Sequence, residues 1–239
     1  MGFLLLGILA SQGLRAATCP LHNHGNLAAI IDDLGYNLST AKVAAAIPAP
    51  LTMSIIPGTP YAMEVADLGA RRGKEVMLHM PMAAVRTAVS DPLVLDKQLP
   101  VADISQRVQE ALLSVPGATG MNNHMGSALT TNRRAMDALM SELAAQGMFF
   151  IDSRTTAETV ARDAAKAQGV PSASRTVFLD NNPVLAAVEI QIEEAVRRAL
   201  VEGYAIAIGH PHPATLAALN RALPRLPADV TIVSASQIA

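Results

Sequence analysis

Two adjacent carboxylates, Asp32 and Asp33, end the apolar run Leu27-Ala-Ala-Ile-Ile31 and are followed by Leu34 and Gly35. Neighbouring carboxylates repel, and they ionise together only where a cation or a proton separates them, so a metal ligand beside a general base is a natural division of labour. The simpler alternative is an Asx-turn or helix cap that closes the strand. Side chains alternate between the two faces of a strand, so both carboxylates can reach one site only where the strand opens. Four of the six histidines follow other strand-like runs: His79 in Leu78-His79-Met80-Pro81, His124 in Asn122-Asn123-His124-Met125, and His210 and His212 in Gly209-His210-Pro211-His212-Pro213. Asp152-Ser153-Arg154 and Asp180-Asn181-Asn182 follow two more. Together these residues offer the ligand types of a site for a borderline divalent cation such as zinc, with positions left for water and substrate. Such a cation polarises a carbonyl and lowers the pKa of water. A carboxylate can then take a proton, and a histidine can give one to a leaving group. That chemistry suits hydrolysis of an amide or ester. The chain has no Gly-x-Ser-x-Gly elbow, which argues against a serine nucleophile.

Each position also has a plainer reading. Asp152 and Asp180 can cap the helices that follow them, and Asp180 before Asn-Asn-Pro fits a cap best. His79 can be a hydrogen-bonded core histidine, Arg154 a surface cation, and His212 an exposed ring between prolines.

The elements that must position these residues alternate with little between them. Strand-like runs cover residues 27–31, 51–56, 75–78, 117–121, 148–151, 175–179, 204–208 and 230–233. Helical patterns fill 39–47, 60–72, 104–115, 131–146, 155–168 and 185–202. The helix at 39 is expected to start on a Ser/Thr cap, and that at 155 on a Thr155/Glu158 capping box. Repeated βα units imply a parallel sheet, so the expected fold is α/β and (β/α) barrel-like, with seven to eight mostly parallel strands. An open doubly wound sheet is the alternative. Residues 26–239 read as one domain after a signal-like segment and linker at 1–25, and residues 83–92 read as a loop over the strand ends.

Of 239 residues, 51% are hydrophobic and 16% charged, enough for a sizeable core. A net charge of −2 without a basic run excludes a nucleic-acid footprint. The single cysteine, Cys19, excludes an internal disulfide and a cysteine-rich zinc site. Residues 3–10 are apolar but too few to span a bilayer. With Ala16-Ala17-Thr18 after them they read as a secretory signal, implying a periplasmic or secreted protein without a transmembrane helix in its mature form. A buried N-terminal segment of a cytosolic protein is the alternative. His22, Asn23 and His24 read as linker. Aromatic residues are 3% with no Trp, so the pocket suits a small or unusually shaped substrate that needs few aromatic faces, with Tyr36 the aromatic expected beside it.

From about residue 28 onward the chain resembles the divergent branch of the polysaccharide deacetylase superfamily. Ile-Ile-Asp-Asp-Leu-Gly resembles its first motif, Gly73-Lys-Glu-Val-Met-Leu-His79 its Gly-x-Glu-(apolar)-x-x-His segment, and Ile208-Gly209-His210 its last motif. Asn122-Asn123-His124-Met125-Gly126-Ser127 and Gly209-His210-Pro211-His212-Pro213 resemble signatures of the divergent branch. The resemblance implies a deacetylase-type distorted barrel, Asp32 as base, Asp33 and His79 as metal ligands and His210 as acid. The second motif's other histidine is replaced by Ala83, and His124 is its substitute. Asn123, Asp152, Arg154 and His212 are then substrate contacts or supports. The implied activity is metal-dependent deacetylation of an N-acetylated cell-envelope carbohydrate. Hydrolysis of another acetylated small amide, and a non-catalytic envelope protein that keeps the fold, are the alternatives.

Overall fold

A computed structural model describes residues 24–86 and 91–239. The signal-like segment, Cys19 and His22 lie outside the described residues, as does the centre of the 83–92 loop. The described chain runs β1 (Gly25–Leu34), α1 (Leu38–Ala46), β2 (Thr52–Ile55), α2 (Ala62–Arg71), β3 (Glu75–Met82), α3 (Val101–Ser114) and β4 (Gly120–Met125). It continues through α4 (Arg133–Gln146), β5 (Phe149–Asp152), α5 (Ala161–Ala167), β6 (Ser172–Ser174), β7 (Val177–Phe178), α6 (Leu185–Glu202), β8 (Tyr204–Gly209), α7 (Pro213–Ala222) and β9 (Val230–Val233).

Eight strands follow one path, β6-β5-β4-β3-β2-β1-β8-β7, and β9 pairs off it with the start of β1. Every pairing is parallel. The end strands β6 and β7 are separated by only Arg175 and Thr176 but do not pair with each other, so the curled sheet stays open there. The expected run at 175–179 keeps only the two-residue β7, and the extra strand β6 is built from Ser-Ala-Ser, a sequence without a strand signature.

The strands' two-residue period sorts their side chains into two cores. The larger lies between sheet and helices; α3, for example, contributes Ile104, Val108 and Ala111 from one face. The smaller fills the inside of the curl with Ala28, Ile30, Met77, Phe149, Ile151, Ala173, Ile206, Ile208 and Val233. Gly120 is needed beside it, because a Cβ there would overlap the Phe149 ring. One end of the interior is shut by the C-terminal turn: Ala235 N–H donates to Thr52 Oγ1 at 3.1 Å, and Thr52 Oγ1 donates to Glu75 Oε2 at 2.9 Å. Continuing each inward-facing lane the other way gives Asp32 after Ile30, His79 after Met77 and His210 after Ile208. The apolar interior therefore ends in a polar layer at the strands' C-terminal ends, where parallel α/β folds carry their sites.

Two expected helix starts are displaced. Asn37 caps α1, its Oδ1 accepting from the N–H groups of Ser39 and Thr40. No capping box forms at Thr155; α5 begins at Ala161, and Thr155 Oγ1 donates instead to the Met125 carbonyl at 2.8 Å. The cause is local, because Arg154 takes a left-handed φ of 49° that turns the chain before a helix can start.

Candidate metal centre

A bulge lets both carboxylates of the Asp pair face the same way. Ile31 pairs with Met53 and Leu34 with Ile55, so β1 spends one residue more than β2 over this interval. Asp33 sits there at φ 54°, a left-handed conformation that Asp adopts more readily than most residues. Asp32 Oδ2 comes to 3.6 Å and Asp33 Oδ1 to 3.1 Å from one atom, His79 Nε2.

His79 and Asn122 are register partners on β3 and β4, and His124 lies two residues further along β4. His79 Nδ1 donates to Asn122 Oδ1 at 2.7 Å, which leaves Nε2 as the free lone pair of the neutral ring. The same Asn122 oxygen accepts from Ser54 Oγ at 2.6 Å, and Asn122 Nδ2 donates to Asp32 Oδ1 at 2.8 Å. His124 Nδ1 then stands 3.3 Å from His79 Nε2 and 2.9 Å from Asp33 Oδ1. Ala83, four residues after His79, serves through its backbone, its N–H donating to the Leu95 carbonyl and its carbonyl accepting from the N–H groups of Ala128 and Leu129.

Asp33 Oδ1, His79 Nε2 and His124 Nδ1 thus form a triangle whose edges lie between 2.9 and 3.3 Å. Ligand bonds of 2.0–2.1 Å in a tetrahedral zinc site imply edges of about 3.3 Å. The two contacts of Asp33 Oδ1 have ion-pair distances without hydrogen-bond geometry, and that oxygen is left buried without a hydrogen-bond partner. The ligand chemistry and the orphaned oxygen both fit a divalent cation. Burial would raise the Asp33 carboxyl, but His124 and His79 hold it well below the usual carboxylate range. Burial would likewise favour neutral His79, yet Asp32 and Asp33 carry it up to about 9. Asp32 is raised by burial, with His79 and the Asn122 hydrogen bond opposing.

On the other side of the Asp pair, His210 Nε2 lies 3.7 Å from Asp33 Oδ2. Its Nδ1 is 2.9 Å from Asp180 Oδ1, while Asp180 Oδ2 accepts from the His210 backbone N–H at 2.6 Å and Thr215 Oγ1 at 2.8 Å. Asp180 is therefore not the helix cap expected of it; Val184 precedes α6 without any side-chain cap. Burial opposes the ionised Asp180, but His210 and Thr215 hold it low, and Asp180 and Asp33 in turn hold His210 above the ordinary imidazole value against burial. Gly209 makes the close approach possible, since a Cβ there would stand 2.9 Å from Thr215 Cγ2 and 3.2 Å from Asp180 Oδ2. His212 is exposed, but with Asp180 and His210 it forms a second group of ligand-type side chains.

The remaining expected residues shape the rim. Asn123 ties two strand ends together, donating to the Met125 carbonyl at 2.7 Å and accepting from Ser153 N–H at 2.9 Å. Asp152 accepts from Arg154 N–H and Thr159 Oγ1, closing the turn after β5. Arg154 lines an open cleft of about 500 Å3 together with Asp32, Asp33, His79, His124 and His210. The aromatic ring in that cleft is Phe178, packed edge-on against His210 at 5.4 Å, and not Tyr36. Asn122 and Arg175 are not among the residues that the sequence reading singles out, and Asp180 is read there as a cap. For Asn122 the alternation with His124 on one strand is an available signal; for Arg175, nothing local marks it.

The fold is a deacetylase-type distorted (β/α) barrel. The chain belongs to the divergent polysaccharide deacetylase family, whose sequence profile matches residues 29–239. It is 36% identical over 231 residues to the uncharacterized protein YibQ of Escherichia coli K12, covering 97% of this chain and 72% of that protein. The crystal structure of an uncharacterized Agrobacterium tumefaciens protein superposes with a TM-score of 0.86 at 20% identity, covering 90% of this chain and 89% of the other. The peptidoglycan deacetylase PdaC of Bacillus subtilis shares the fold, with a TM-score of 0.54 at 13% identity and 90% of each chain covered.

Proposed function

We propose that this protein is a zinc-dependent hydrolase that removes acetyl groups from an N-acetylated carbohydrate of the cell envelope, working after export from the cytoplasm. The observation that carries this reading is the triangle of Asp33 Oδ1, His79 Nε2 and His124 Nδ1, flanked by buried Asp32 and by the Asp180-supported His210. Family membership and the envelope substrate in the name of the Bacillus neighbour support the substrate class.

Asp33, His79 and His124 would hold the cation, which when bound supplies Lewis acidity to an acyl carbonyl and makes a nearby water more acidic. Asn122 keeps His79 in the tautomer that offers Nε2. Asp32, raised by burial and fixed by Asn122, accepts the proton of the attacking water. His210, held above the ordinary imidazole value by Asp180 and Asp33 against burial, gives a proton to the departing amine nitrogen. Acetate and a free amine result.

The test is acetate release from N-acetylated chitotetraose by the zinc-loaded chain and its Asp32→Asn variant. The expected result is release by the parent and a loss of about 100-fold or more in the variant, with zinc still bound. Full activity in the variant would remove Asp32 as the base. Zinc binding without acetate release from any acetylated glycan would favour the non-catalytic envelope protein.

A further inference from the structure

We propose that an extension of the cleft binds a carboxylate or phosphate group of the substrate, so that the preferred glycan is acidic; this rests on the hydrolase reading above. A second hollow of about 550 Å3, at the opening between β6 and β7, shares Arg154, Thr155 and Arg175 with the cleft. Four guanidinium groups line it, from Arg154, Arg162, Arg175 and Arg198, against the single carboxylate of Glu202. On a chain whose net charge is −2, this is a marked local excess of positive charge.

Part of that charge is neutralised from within, the Asp152 carboxylate acting on Arg154 and Arg175 without an ion-pair contact. Arg198 pairs with Glu194 at 2.8 Å and Glu202 at 3.4 Å. Arg175 spends its N–H groups on the Ser153 and Arg154 carbonyls, at 2.7 and 3.0 Å, and has no ion pair among the described residues. The guanidinium groups of Arg154 and Arg162, also among the described residues, join no ion pair. Like charges gathered without partners repel, and a bound anion removes that repulsion. Arginine's planar fork matches carboxylate and phosphate oxygens in pairs. Ser174 and Tyr204 add hydroxyl groups to the same wall.

The hollow meets the metal-side cleft at Arg154, Thr155 and Arg175, which line both. One substrate can therefore place its acyl group beside Asp32 and His210 and its anionic group among the arginines. Charge would hold the sugar where the cleft offers only one aromatic ring, Phe178.

The test uses the zinc-loaded full chain and calorimetric titration of three probes: N-acetylated chitotetraose, its 6-carboxylate form and its 6-phosphate form. At low salt one charged form should bind at least about tenfold more tightly than the neutral one, with the advantage fading as salt rises. Which form gains separates a carboxylate from a phosphate as the natural group. In an Arg154→Gln/Arg162→Gln double variant with an unchanged unfolding midpoint, the preference should shrink to within about twofold. Equal binding of the three probes, or a preference that survives the double substitution, would overturn the proposal. Acetate release without charge preference would leave the hydrolase reading intact and sink the anion site. Charge preference without acetate release from any probe would do the reverse.

Discussion

Replacing Asn122 by Ala separates a designed support from a merely buried amide. Asn122 is fully buried and makes three hydrogen bonds, to His79 Nδ1, Ser54 Oγ and Asp32 Oδ1, at 2.6–2.8 Å. Truncation leaves three polar groups unpaired in the interior. At about 1 kcal/mol each, the low end for buried groups that a water can partly re-satisfy, the metal-free chain should lose about 3 kcal/mol of stability to denaturant unfolding. The His79 ring also loses the partner that selects its tautomer, so zinc affinity, read by competition with a chromophoric chelator, should fall about 10–100-fold. Asn122→Asp should behave differently. It keeps an oxygen for His79 and Ser54, hence zinc affinity near the parent's, but sets a second carboxylate against Asp32. The pair would share a proton, and acetate release should drop sharply at neutral pH. Parental zinc affinity and stability in Asn122→Ala would refute the idea that this amide organises the site.

Three further outcomes follow from the same geometry. Asp180→Asn keeps the shape of the dyad but removes the charge that helps hold His210 above its ordinary value. His210 then loses its proton at lower pH, so the alkaline limb of the kcat profile should move down in pH; an unmoved limb would dismiss His210 as the acid. His79 has a value of about 9 in the metal-free fold against 6.5 for an ordinary histidine. Its stabilisation is complete below about pH 6.5 and is lost as pH rises through about 9, so metal-free unfolding should be easier at pH 9 than at pH 6.5. The same proton must leave when zinc binds, so apparent zinc affinity should rise about tenfold per pH unit from pH 7 to 9; affinity flat over that range would contradict the pairing of His79 with the aspartates.

Much of the architecture could be read from periodicity because buried parallel strands are continuous apolar runs, and the polar residues ending them stand out. That is why the Asp pair and the strand-end histidines gather in the sequence; the narrower set of Asp33, His79 and His124 rests on the family resemblance. The bulge that turns Asp33 toward His79 has no such signature, since a left-handed aspartate reads like any other. Asp180 was misread as a cap because a carboxylate before Asn-Asn-Pro offers the same chemistry to a helix as to an imidazole. Its partner lies 30 residues away just after β8, next to a glycine whose purpose emerges only from contact. Thr155 and Glu158 matched a capping box, but the Asp152 turn and left-handed Arg154 overrode local preference. Ser172–Ser174 became a strand only because β5 offered it an edge.

The most direct test of the metal centre is a zinc titration of the full chain beside its His124→Ala variant, with bound metal counted per chain. Asp33, His79 and His124 as a ligand set predict one tightly held zinc in the parent and its loss, or a weakening of at least about 100-fold, in the variant. A parent that takes up no zinc, or a variant that holds it as tightly, would contradict the account.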